Sequence, residues 1–449
     1  MNIYFLTLEV SPSKANQHYN VVEGALAHCW VLEDSPENAL SKATFHVSKY
    51  DWELERIESP PVETTKDHFI GKDLGLQGYE QAQEDGIAIT VLAWSRDGKT
   101  SFGPTTLKPS ASINIDHFLK AYRKHQRRGR FLHYASDGRC KEIINAHSIQ
   151  RSRSLSQIAH NGHVYRLTAD IGSLEKDKGR LSCQERSVDK ISTFLGFCKR
   201  HDNDLFEPID NFPLKPTDEQ IFLYGYRSLC RELFVKENAV NSIGMHLNVV
   251  KQKSINAFLT AVEKGMKFGF DNLKCHKSIY DDSLRNGHYN NIEYVLFISN
   301  QTPIVVFSGI FYPDFDFMGR QLQDLASHSN NLELITFCSA PMRSGWGFLF
   351  SWHTSSSSVC TNFMRSLATV VYENRKLEDM LFRLVISNCE NHAISPQWWD
   401  SLPALHKEQI IDRASRMADV LVKTHQSYLM EGLEGIAGWK FQSVISNMK

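Results

Sequence analysis

The chain has 449 residues and carries 50 Lys+Arg against 51 Asp+Glu, a formal net charge of −1. Its 42 % hydrophobic and 22 % charged content is that of domains with real cores, which excludes a disordered, collagen-like or coiled-coil chain. No apolar run reaches the roughly 18–20 residues that a membrane helix needs, so no membrane partner is expected. Nine cysteines are sparse and odd in number, which fits a reducing cytoplasm rather than a disulfide scaffold. The first residues, MNIYFLTLEVSPSK, lack a basic start and a long apolar stretch and do not read as a secretion signal. The chain as a whole is neutral, so any basic footprint for nucleic acid has to be local.

Residues 1–100 read as a ferredoxin-like α+β domain. Val21 to Val31 is rich in strand formers. Ser35-Pro36 then supplies an N-cap and a proline at the first helical position. Ala39, Leu40, Ala43 and Val47 follow at helical spacing. Trp52 to Ile57 alternates apolar and charged residues like a half-buried strand, and Pro60-Pro61 is expected to break the chain. Leu74 to Gln83 reads as a short helix and Ile87 to Trp94 as a buried strand. Cys29 is expected in the core. The unit carries no catalytic constellation, which suits a regulatory or oligomerisation module.

Residues 115–212 carry most of the chemistry. KAYRKHQRRGR, from Lys120 to Arg130, contains Lys120, Arg123, Lys124, Arg127, Arg128 and Arg130 and no acid. Such a block can neutralise several phosphates of a nucleic acid, or it can be a solvated helix face. Just downstream, His133, Cys140 and His147 recur at seven-residue intervals, and Cys198-Lys-Arg-His201 forms a short-spaced pair. Zinc takes four borderline ligands in a tetrahedron, and short pairs supply them from tight turns. The expected ligands are Cys140, Cys198 and His201, with His133, or else Cys183, as the fourth. The alternative is a pair of buried, inert cysteines. Asn161-Gly162-His163 is a turn signal.

The string Cys140-Lys-Glu-Ile-Ile-Asn-Ala-His147-Ser-Ile, with Gly196-Phe-Cys198-Lys-Arg-His201-Asp202 downstream, resembles the treble-clef zinc module of HNH nucleases over about 75 residues, Phe131 to Phe206. The resemblance implies that Cys140 and Cys198 are zinc ligands and that His201 replaces the second cysteine of the helix-opening pair. It implies that His147 matches the general base and that Asp202 stands where the family has a metal-binding histidine. Two departures accompany it: Thr193 occupies the place of the family's middle Asn, and a long insert including Ile149 to Asp189 separates the halves. Asp202, with Asp204, offers hard oxygen ligands for Mg²⁺ or Mn²⁺. The same stretch, from Ala146 to Phe206, also resembles a bacterial family of unassigned activity linked to defence against phage or mobile DNA.

Residues 216–449 read as an α+β domain of helices and an antiparallel sheet. Pro216 to Glu219 opens a helix with Ile221, Leu223, Tyr226, Leu229, Cys230 and Leu233 at 3–4 spacing, and a second helix is expected over 255–268. Strands are expected over 293–298, 303–311, 332–337 and 346–352. Ser355 to Ser358 reads as an exposed loop. Helices return over 360–372, 376–388 and 407–427. His353, Glu390, Asn391 and His392 could form a polar cluster, or Asn391 and His392 could cap a helix; Pro396-Gln-Trp-Trp399 reads as a helix start with aromatic anchors. Phosphate-loop, dinucleotide, zinc-protease, EF-hand and nucleophile-elbow motifs are absent from the sequence. Three functional readings result: a zinc-binding protein that binds or acts on nucleic acid, a metal-dependent HNH-type nuclease cutting DNA or RNA, and a non-catalytic scaffold or sensor subunit with a protein partner or in a homo-oligomer.

Overall fold

Asn2–Pro12, which has no turn residue between Ile3 and Val10, forms strand β1, an interior strand of an antiparallel sheet. It is followed by β2 (Val22–Glu33), α1 (Pro36–Lys49), β3 (Trp52–Thr64), α2 (Asp73–Asp85), β4 (Ile87–Ser95) and β5 (Ser101–Leu107), and the five strands lie in the order β3-β1-β2-β4-β5. The computed structural model describes residues 2–16, 18–69, 73–96, 101–107, 128–135, 140, 142–168, 180–249, 253–325, 327, 332–418 and 424–448. They fall into two units, one of Met1–Tyr122 with Ile243–Val262, the other of Arg123–Ser242 with Glu263–Lys449.

The first unit departs from the expected two-layer ferredoxin-like sandwich, and strand parity shows why. Ala25, Ala27, Cys29 and Val31 of β2 pack with Leu6 and Leu8 against Ala39, Ala43 and Val47 of α1. Trp30 of β2 and Ala88 of β4 point the other way, to Ala82 of α2 and to Phe69. Successive strand residues face opposite sides, so the two helices cover opposite faces of one sheet. Pro60-Pro61 does not end the strand either. β3 is an edge strand, where missing N–H groups are tolerated, and its register against β1 shifts between Thr7–Ser59 and Phe5–Val62 to accommodate both prolines. Cys29 is fully buried, as expected.

The second unit begins with β6 (Ile143–His147), β7 (His163–Thr168), β8 (Ser182–Ser187), β9 (Thr193–Cys198) and α3 (Lys199–Asp210). Two long helices follow, α4 (Asp218–Val249) and α5 (Lys253–Asn286), of which 218–242 and 263–286 belong to this unit, then β10 (Ile292–Ser299), β11 (Val305–Phe311), β12 (Ile335–Pro341) and β13 (Trp346–His353). The chain closes with α6 (Ser357–Tyr372), α7 (Leu377–Asn388), β14 (His392–Ile394), α8 (Pro396–Ser401), α9 (Ala404–Ala418) and β15 (Ser443–Ser446). The four strands expected between 293 and 352 are present and antiparallel, in an eight-stranded sheet ordered β15-β10-β13-β12-β11-β14-β7-β8. Trp346, Phe348, Phe350 and Trp352 alternate onto one face and pack with α6 and α7. Tyr294, Leu296 and Leu349 face the other side, with Tyr226 and Leu229 of α4 and Tyr280 of α5. Helices on both faces explain why these strands read as continuous apolar runs.

The insert between β6 and β9 is not an isolated loop. Its hairpin, β7–β8, extends the C-terminal sheet through β14, with Ile394 opposite Tyr165. The sequence reading ends the central module at 212 and starts another domain at 216; the structure puts strands from both in one sheet. The Ser355–Ser358 run is also not a loop: Ser356, 1 % exposed, is the N-cap residue of α6 and accepts from the Leu334 amide.

The turn between β12 and β13 rests on Gly345. Its φ is +74°, and a Cβ there would lie 1.9 Å from the Ser299 carbonyl oxygen. Backbone cannot give way as a side chain can, and φ in this region already disfavours other residues. Gly345→Ala is expected to destabilise the second unit by about 2 kcal/mol or more, read as a lowered urea midpoint. A midpoint within error of wild type would show that the turn can re-form.

Candidate metal centre

The candidate centre is built on a two-stranded antiparallel sheet, β6 and β9, followed by a helix. β6 and β9 pair antiparallel, with Ile143 opposite Cys198 and His147 opposite Thr193. Cys198 ends β9 in extended conformation and is the N-cap residue of α3. His201 lies in the first turn of α3, so the two side chains point to the same side of the helix start. Cys140 lies three residues before β6 and reaches the same point.

The three donor atoms converge. His201 Nδ1 is 3.3 Å from Cys140 Sγ and 3.4 Å from Cys198 Sγ, and all three atoms lie within 4.8 Å of one another. A tetrahedral zinc with bonds of about 2.3 Å to sulfur and 2.0–2.1 Å to nitrogen sets the S···N edge at about 3.6 Å. The set therefore fits a zinc-sized ion with little movement. Among the described residues, it is the one group of three or more such donors that meets this test. Cys198 and His201 are buried, whereas Cys140 is partly exposed. Arg200 Nη2 donates to His201 Nε2 at 3.0 Å and lies 4.0 Å from Cys140 Sγ, placing positive charge beside the thiols.

His133 is adjacent but outside the three-donor group. Its ring stacks on His201 at 4.1 Å between centroids, 5° from parallel, and its Nδ1 accepts the Ala135 amide at 3.1 Å. Burial, then the neighbouring His201, Lys277 and Arg200, push its pKa down to about 4. Cys183 is on β8 opposite Leu167, near Asp400 and Lys407 rather than the centre.

The segment carrying His133 is anchored firmly. The Arg130 and Leu132 amides donate to the Leu195 and Gly196 carbonyls of β9, both at 2.9 Å. Lys277 Nζ reaches the Leu132 carbonyl at 2.7 Å and both Asp281 oxygens at 2.6 and 2.7 Å. Arg130 turns inward: its guanidinium pairs with Glu237 at 2.8 Å, bonds Asn238 and lies over the Phe234 ring. Arg128 is exposed. Lys120, Arg123, Lys124 and Arg127 lie outside the described residues.

His147 occupies the end of β6, half-buried. Its Nε2 donates to the Val188 carbonyl at 3.2 Å, which leaves Nδ1 as the lone-pair nitrogen. Burial holds its pKa below the usual histidine value, so the ring is neutral at pH 7. Asp202 has a buried Oδ1 without a hydrogen-bond partner, and burial pushes its pKa up to about 6 against the opposing pull of Arg227. Arg227 is 3 % exposed, bonds both Asp210 oxygens at 2.7 and 2.6 Å, and acts electrostatically on both His147 and Asp202. Asp204 is exposed. The signal for Arg227 in the sequence is that it carries the one charge in the run FLYGYRSLC.

The second polar group does not assemble as one cluster. His353 Nδ1 pairs with Ser355, two residues on. His392 donates from Nδ1 to the Cys389 carbonyl at 2.7 Å and accepts the Leu167 amide at 3.2 Å on Nε2. Both ring nitrogens are thus occupied, Nε2 in joining β7 to β14 and Nδ1 within the turn after α7, and burial pushes its pKa down to about 4. Asn391 donates to Ser148 Oγ at 2.8 Å and to the Ser308 carbonyl at 3.0 Å. Asn161-Gly162 is the expected turn, with φ of +50° and +75° as a tight hairpin needs. No family model, curated protein or solved structure matches the chain.

Proposed function

We propose that this chain is a zinc-binding protein that binds or acts on nucleic acid through a treble-clef, HNH-like module. The observation that carries the reading is the convergence of Cys140, Cys198 and His201 on a frame of two paired strands and the helix that follows, at S···N distances near those of tetrahedral zinc. The fourth position falls to His133 after a turn of its ring, or to solvent. A reducing cytoplasm would keep both thiols available.

The nucleic-acid part rests on the basic run ending at Arg128, since Arg130 is occupied inside the fold. Charge reversal at Arg127 and Arg128 is expected to weaken binding irrespective of sequence. It should also flatten the salt dependence, by about 0.9 in the log–log slope for each lost phosphate contact. An unchanged slope in a salt titration would return the run to a solvated face.

A nuclease reading is favoured by one further observation: His147 has its tautomer fixed by Val188 and is neutral, the state a general base needs. In that reading Asp202 would hold a Mg²⁺ or Mn²⁺ ion, which when bound supplies charge stabilisation at the phosphoryl oxygens. The role in defence against phage rests on the resemblance of the stretch from Ala146 to Phe206. Zinc analysis, together with incubation on plasmid DNA and on RNA with and without Mg²⁺ or Mn²⁺, tests the set. Zinc with cleavage supports the nuclease, zinc with binding alone supports the scaffold, and protein without zinc overturns the proposal.

A further inference from the structure

Cys140, Cys198 and His201 supply three corners of a tetrahedron, and the pose of His133 decides what fills the fourth. Its ring lies 4.1 Å from the His201 ring between centroids and 5° from parallel. An imidazole binds a metal along a lone pair in its own ring plane, so an ion on His201 Nδ1 lies in the His201 plane. Stacked rings stay about 3.5 Å apart. That offset exceeds a Zn–N bond of about 2.0–2.1 Å, so no lone pair of His133 points at the ion. The lone pair is also engaged elsewhere. His133 Nδ1 accepts the Ala135 amide at 3.1 Å, which leaves Nε2 to carry the proton of the neutral ring. Tyr134 stacks on His133 as well, at 4.7 Å and 24°, with the Arg285 guanidinium 5.0 Å from the Tyr134 ring centre. Two stacked rings and one hydrogen bond therefore hold His133 in this pose.

Among the described residues, no fourth donor joins the group. Solvent reaches it: Cys140 and His133 are partly exposed and Arg200 is exposed. We propose that the fourth position of the zinc is open, walled by His133 rather than filled by it, and takes a small monodentate anion. The inference rests on the metal reading and deepens it. Structural zinc sites close all four positions with protein ligands, whereas a site with three protein ligands keeps an exchangeable one. Charge selects an anion there. Two thiolates and a neutral imidazole cancel the charge of the ion, and Arg200, whose Nη2 lies 4.0 Å from Cys140 Sγ, offsets one further negative charge.

The test is cobalt(II) substitution of the full chain, read in the visible d–d bands and titrated with sodium azide against sodium perchlorate at matched ionic strength. Wild type is expected to bind one cobalt and to show a saturable shift of its bands with azide. His133→Phe keeps a ring in the stack and removes both nitrogens. It is expected to show the same azide shift and to bind cobalt less than about 100-fold more weakly, the limit for a residue outside the ligand set. A larger loss makes His133 a ligand and overturns the open position. If His133→Phe does not fold, the wild-type titration decides alone. A wild type that takes up cobalt without answering to azide overturns the open position and leaves the metal reading standing. A wild type that takes up no cobalt overturns both.

Discussion

Replacing Cys198 with serine is expected to abolish zinc binding and to unfold the strand pair and helix built around it. Apparent binding energies of structural zinc in small modules are about 10–16 kcal/mol, and where no preformed site exists in the unfolded chain that energy is folding energy. The substitution is clean for a local reason. Cys198 is the N-cap residue of α3 and makes no side-chain capping bond, whereas serine is among the best N-caps. Its effect on the helix alone should be neutral or favourable, so any loss of stability reports the ion. Elemental analysis and thermal unfolding with and without a chelator measure both quantities. One zinc per chain in Cys198→Ser, with an unchanged melting temperature, would remove Cys198 from the site.

The second large effect concerns His147. If the protein cuts phosphodiesters, His147→Ala should lower the rate by about 10²–10⁴-fold, the range for a general base. Zinc content and melting temperature should barely move, because the ring bonds the Val188 carbonyl and is not among the three donors. The pH profile adds a sign. Burial holds the His147 pKa below its ordinary value of about 6.5. The base therefore stays unprotonated further into acid, and cleavage should fall only as pH drops through that lowered value. Loss of zinc in His147→Ala would make the residue structural and end the nuclease reading. A wild type that binds but never cleaves would leave the scaffold reading.

What could be read from the sequence was what neighbouring residues decide. Ser35 accepts the Asn38 amide at 3.2 Å with Pro36 behind it, as the pair of residue types demands. Cys198 and His201 meet because one helical turn brings them together. What could not be read was long-range. The assignment of α1 and α2 to opposite faces depends on which parity of β2 each helix chooses, and every position from Cys29 to Val31 is buried. β14 is three residues long, too short for periodicity, and its partners are more than 80 and 220 positions away in the chain. Arg130 counts as one more charge in a basic run, yet Glu237 and Phe234 hold it inside. Cys140 is expected as a ligand from its spacing and from the resemblance, but how it reaches Cys198 and His201 was not legible: the pairing of Ile143 with Cys198, across an insert of more than 40 residues, delivers it to the centre.

The stitching of the β7–β8 hairpin onto β14 also has a consequence for biosynthesis. Tyr165 is translated long before Ile394, and the contact between them closes one of the longest loops in the molecule. At elongation rates of about 5–20 residues per second, the segment waits roughly 10–45 s on the ribosome before its partner strand exists. During that interval the apolar side of the hairpin has no cover, and contacts of such high order form slowly even afterwards. The nascent chain should thus depend on chaperones in this window. A fragment ending near residue 215 should be captured by them or aggregate, even with zinc supplied, whereas the same segment in the full chain should be protected from protease.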